Sequence, residues 1–62
     1  MNQTTTELLS IMTQHLLEAE IEAGKHEAGN AAAGRRLRNI MQSVKGLAQE
    51  VRTRVTADKA AR

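Results

Sequence analysis

Gly29-Asn30-Ala31-Ala32-Ala33-Gly34-Arg35-Arg36-Leu37-Arg38 is the stretch on which the fold turns. Gly29 can take the left-handed backbone that ends a helix, and Asn30 is a strong N-cap for the next one. The alanines then restart the helix just ahead of a basic cluster. Charge changes sign at the same place. Residues 1–28 hold five glutamates against Lys25 alone, a balance of −4. Residues 29–62 hold eight Lys or Arg against Glu50 and Asp58, a balance of +6. The net charge of +2 conceals this asymmetry. It points to a polyanion on one face, or to a partner subunit that matches both signs.

Working upstream, Thr4-Thr5-Thr6-Glu7 fits a capping box and predicts a helix over about residues 5–28. Within it Leu9, Met12, Leu16, Ala19 and Ala23 recur at alternating three- and four-residue steps, the a/d seam of a coiled coil. Leu8, Ile11, Leu17 and Ile21 widen the stripe on both flanks, beyond what one partner helix covers. Working downstream, a second helix is expected over about 31–58. Its core stripe is Ala33, Leu37, Ile40, Val44, Leu47 and Val51, with Met41, Ala48 and Val55 beside it. Lys59-Ala60-Ala61-Arg62 reads as a short basic tail.

A turn at about 29–30 folds two such helices back on each other. The expected fold is therefore all-α, with residues 1–62 forming a single domain, an antiparallel two-helix hairpin. Chains of 62 residues bury little surface alone. The hairpin is accordingly expected to dimerise into a four-helix bundle, with a higher homo-oligomer as the alternative. A continuous bent helix pairing only between chains is the lesser possibility.

Composition excludes several function classes. There is no cysteine, so no disulfide, thiolate zinc site or thiol nucleophile. There is no Phe, Trp or Tyr, which removes the stacking platforms of single-strand readers. No apolar run approaches the roughly 18–20 residues of a membrane span. The start lacks the basic region and apolar core of a signal peptide. A soluble, cytoplasmic protein without a membrane partner is expected. His15 and His26 lack a carboxylate placed to complete a metal site, and His15 reads as a bundle-flank residue. Gly29 and Gly34 lack the Lys-Ser/Thr step and the preceding strand of a P-loop. Ser10, Ser43 and the threonines have no supporting base. Glu18 and Glu22 share a face with Lys25 and His26, a salt-bridged surface rather than a carboxylate pair. No enzyme, cofactor, metal or small-molecule substrate is expected.

The basic cluster supplies the candidate site. Arg35, Arg38, Lys45 and Arg52 recur at steps of three and seven along one flank of the second helix, with Arg36 and Arg54 away from it. Cations near a helix start oppose the helix dipole, so their placement suggests a role other than stability. Together with the free amides at residues 30–33 they suit phosphate groups. Arg35, Arg36, Arg38, Lys45 and Arg52 are thus the candidate DNA-binding residues. The competing reading pairs them with the acidic first helix. The small run Ala31-Ala32-Ala33-Gly34 suits a tight helix crossing, and is compatible with close approach to a phosphate backbone.

From Gly29 onward the chain resembles the bacterial linker-histone-like (chlamydial-type histone-like) nucleoid proteins. The resemblance rests on Gly29, Asn30, Ala32, Ala33, Arg36 and Arg38, then on Val44-Lys45-Gly46-Leu47-Ala48 and Arg52. The first helix matches only in being acidic and amphipathic. The resemblance implies a small helical protein, nucleoid-associated, that binds double-stranded DNA with little sequence preference and compacts it. One departure is that the chlamydial member carries a long Lys/Ala-rich tail where this chain has Lys59-Ala60-Ala61-Arg62. Affinity is then expected to be weak, or to depend on a dimer presenting two basic faces. The rival readings are a non-catalytic oligomerisation module without DNA binding and an RNA-binding bundle.

Overall fold

In the computed structural model, which describes residues 3–61, the chain is two antiparallel helices. Helix α1 spans Thr5–Glu27 and helix α2 spans Ala31–Ala60. Among the described residues there is no strand. The body measures 50 × 18 × 15 Å, the shape of a hairpin lying flat.

Each helix starts where side chains satisfy its first amides. The Thr4 hydroxyl accepts from the Glu7 amide at 3.1 Å, and the Glu7 carboxylate accepts from the Thr4 amide at 3.0 Å. This is the reciprocal capping box that the sequence predicts. At α2, the Asn30 side-chain oxygen accepts from the Ala33 amide at 3.1 Å. The turn between them is a Schellman motif. The Asn30 amide donates to the Lys25 carbonyl and the Gly29 amide to the His26 carbonyl, both at 3.0 Å. Gly29 sits at φ +102°, a conformation that a side chain would strain. Asn30 closes the first helix with its backbone and opens the second with its side chain. No further loop is needed.

The interior is narrow. Leu8, Ala19 and Ala33 are the buried apolar residues among those described, with Ala33 fully covered. On α2 the expected stripe faces inward as read: Leu37, Ile40, Val44, Leu47 and Val51 are half-buried. On α1 the inward line keeps Met12 and Ala19 of the expected seam, but takes the position before each of Leu9, Leu16 and Ala23. It runs through Thr5, Leu8, Met12, His15, Ala19 and Glu22, all covered or half-covered. Leu9 and Leu16, placed on the seam by their spacing, are exposed, as are Leu17 and Ile21. His15 and Glu22 stand on this line where Leu16 and Ala23 would make it wholly apolar, so spacing alone favours the latter. His15 accommodates its place by a contact of Nδ1 with the Ile11 carbonyl at 2.9 Å.

Near the turn the helices approach closely. A Cβ on Gly34 would lie 2.8 Å from His26 Nδ1, so the missing side chain makes room for the imidazole. Of the small-residue run, Ala33 and Gly34 therefore serve the helix crossing, while Ala31 and Ala32 are exposed. Helix α2 also runs two residues beyond the expected end, taking in Lys59 and Ala60 of the supposed tail. Arg62 lies outside the described residues.

Candidate nucleic-acid interface

Capping by Asn30 fixes the rotation of α2, and through it where each cation points. Arg38, Lys45 and Arg52 are seven residues apart, and the longer helix adds Lys59 at the next step. Seven residues of helix rise about 10.5 Å, so these four charges line one edge over roughly 31 Å. Arg35 lies one turn before Arg38, on the outer side. All five are exposed. Among the described residues the ion pairs are Lys25–Glu22, Arg36–Glu22 and Arg54–Asp58, so none of the five is held by a carboxylate.

Lys59 is the residue that the sequence reading missed. Its signal was present as the fourth member of a seven-residue repeat. A helix ending at residue 58 leaves it in the tail.

Arg36 behaves differently. Its Nε donates to Glu22 Oε2 at 2.6 Å across the two helices. The Glu22 side chain is 13% exposed, and Lys25 Nζ stands 3.6 Å from its other oxygen. Arg36 is thus the member of the set that pairs with the acidic helix, while the rest of its guanidinium, half exposed, stays in reach of a further anion. Arg54 leans on Asp58 one turn on, Nε to Oδ1 3.2 Å. That N–H is not aimed at the carboxylate and has no hydrogen-bond partner, so the contact is a charge pair alone.

The Arg36 hydrogen bond holds the Glu22 carboxyl below its ordinary value of 4.5, ahead of a smaller opposing effect of desolvation. The Thr4 amide and hydroxyl do the same for Glu7. A carboxylate with a lowered folded value adds stability above its unfolded pKa and loses it as pH falls through the folded one. The melting temperature is therefore expected to be level near neutrality and to fall below about pH 4.5. Glu22→Gln should flatten part of that acid limb. Acid melts of the two proteins, followed by circular dichroism, check this, and identical limbs would remove Glu22 from the account.

The elements assemble no catalytic or metal-binding cluster among the described residues. What they assemble is an alanine-packed helical hairpin with one helix edge of exposed cations. A family profile described as histone H1-like protein Hc1 matches residues 6–61. The chain belongs to this family of histone-like DNA-binding proteins. The resemblance read from Gly29 onward is confirmed and extends back through α1. No curated protein and no solved structure matches the chain.

Proposed function

We propose that the protein binds double-stranded DNA through its phosphates, without reading base sequence, and compacts it as a nucleoid-associated homo-oligomer. The observation that carries this reading is the line of exposed, unpaired cations on α2, in a chain of a histone-like family. Arg35, Arg38, Lys45 and Arg52 are its phosphate contacts, with Lys59 extending the edge and Arg36 contributing from the other side of the same helix. Phosphate contacts position a protein on the duplex but carry no sequence information directly. The cation spacing of about 10.5 Å matches roughly three base-pair rises of a B-form duplex. Among the described residues no helix is long and apolar enough to cross a membrane.

The Glu22–Arg36 pair favours a second reading, an interaction module in which the acidic and basic helices serve only assembly. One titration separates the two. Fluorescence anisotropy with a random-sequence duplex, repeated across salt, should show binding with a log–log slope of about −0.9 per phosphate engaged. Four to five contacts then give a slope of roughly −4. No binding at about 50 mM salt would leave the module standing. Preferential competition by structured RNA would move the reading to RNA.

A further inference from the structure

The two broad faces of the hairpin differ in kind. Taking the inward lines of α1 and α2 as the midline, the next heptad places on one face are Leu9, Leu16 and Ala23 of α1 and Met41, Ala48 and Val55 of α2. Gly34 completes the row at the turn. Leu9, Leu16, Met41 and Val55 are 51, 44, 40 and 42% exposed in the single hairpin. The same places on the opposite face hold mostly polar residues, among them Glu18, Lys25, Arg36, Ser43 and Glu50. Glu18, Glu22 and Arg36 line one groove there with Ile40 beneath, which fixes the handedness of the assignment. One face is mostly polar, with Ile11 and the exposed Ile21 as its apolar members, and the other is an apolar strip with coiled-coil spacing.

We infer that this strip is covered by a second copy of the chain, packed face to face so that α1 lies over α2 of the partner. Charge selects the occupant and its orientation. The strip is bordered by Glu20 and Glu27 on the α1 edge and by Arg38, Lys45, Arg52 and Lys59 on the α2 edge. Glu22 is level with Arg36 within one chain, so Glu20 is level with Arg38. A two-fold axis parallel to the helices sets each acidic edge against a basic one and brings Glu20 to Arg38 of the other copy. The perpendicular axis would stack α1 on α1 and α2 on α2. It would run four cations against the same four, the like-charge apposition that excludes a pairing mode. Such an interface is isologous, the commonest kind in homodimers.

The inference rests on the homo-oligomer of the reading above, not on its DNA contacts. It has a consequence for them. With α1 and α2 alternating around the bundle, the two basic edges fall on opposite flanks. Lys45, Arg52 and Lys59 meet no acid of the other copy, because the level places on α1 are threonines and the helix start. The dimer is then built to join two duplexes.

The chain has no cysteine, so single-cysteine variants report cleanly. Full-length Glu20→Cys and Arg38→Cys chains, each alone and mixed, are treated with a short bismaleimide in the absence of DNA. A covalent dimer is expected from the mixture and from neither variant alone. Dimer from Glu20→Cys alone would mean α1 on α1 and overturn the arrangement. Sedimentation equilibrium of the unmodified protein should give twice the chain mass, and a monomer at tens of micromolar would overturn the dimer itself. Leu16→Glu should weaken association on the order of a hundredfold, whereas Leu17→Glu, one residue along on the outer side, should not. Equal effects would mean the strip is not the interface. Because no DNA is present, a failed duplex titration leaves these results intact, and the reverse also holds.

Discussion

Leu8→Ala is expected to remove most of the hairpin's stability. Leu8 is the one large side chain that is buried among the described residues, at 3% exposure. It plugs the open end, where α1 begins and α2 ends, in a cavity shared with Gln49, Thr53, Arg54 and Ala57. Truncating a buried leucine costs about 2–5 kcal/mol, transfer and residual void together. A domain of this size has only about 3–9 kcal/mol to lose. At about 4–8 °C per kcal/mol the melting temperature should fall by at least 10 °C or so. Leu17→Ala, on the exposed outer side of α1, should change stability by no more than about 0.5 kcal/mol. Thermal melts of the two variants make the comparison. Equal shifts would show that the interior does not lie where Leu8 is.

The second large effect concerns DNA. Arg38→Glu, Lys45→Glu and Arg52→Glu together should abolish duplex binding at physiological salt and leave the helices intact. All three side chains are exposed and outside every ion pair found among the described residues, so reversing them breaks no contact within the chain. Neutralising them one at a time should reduce the log–log salt slope by about 0.9 each, the counterion share of one phosphate. Arg36→Glu should behave in the opposite sense. Its main loss is the bond to Glu22, so stability falls more than affinity. If Arg36→Glu removes DNA binding while the triple variant retains it, the edge has been placed on the wrong side of α2.

The helix limits were legible because capping chemistry is local. Thr4 with Glu7, and Gly29 with Asn30, announce their turns in four residues or fewer. The inward face of α2 was equally plain, since its apolar line is unbroken from Ala33 to Val51, with Met41, Ala48 and Val55 only beside it. Helix α1 offers two adjacent lines, and periodicity alone does not say which one a partner in the same chain will take. The turn decides it, by setting the rotation of α1 against α2. The choice admits His15 and Glu22 to the inner line and leaves Leu9 and Leu16 outside. The pairing of Arg36 with Glu22 was out of reach for a related reason. It joins residues 14 apart whose levels match only once the Schellman turn is known. Helix α2 carries no glycine near its end to announce a stop, so the sequence does not show that Lys59 continues the edge. Of the five cations on the proposed edge, four are legible from spacing, and the fifth needs the observed length of the helix.

Because α1 and α2 lie side by side, the opposite charges are separated across the 15–18 Å width of the body and not along its 50 Å length. The antiparallel backbone dipoles largely cancel, leaving the side-chain moment at right angles to the long axis. In the field of a polyanion the resulting torque rolls the rod about its own axis until α2 faces the source, and is indifferent to the heading of that axis. Of the rotations that a docking search must sample, one is thus settled at a distance, within the roughly 8–10 Å over which salt lets the field act. On the proposed reading the molecule arrives broadside, with its cations already turned toward the phosphates.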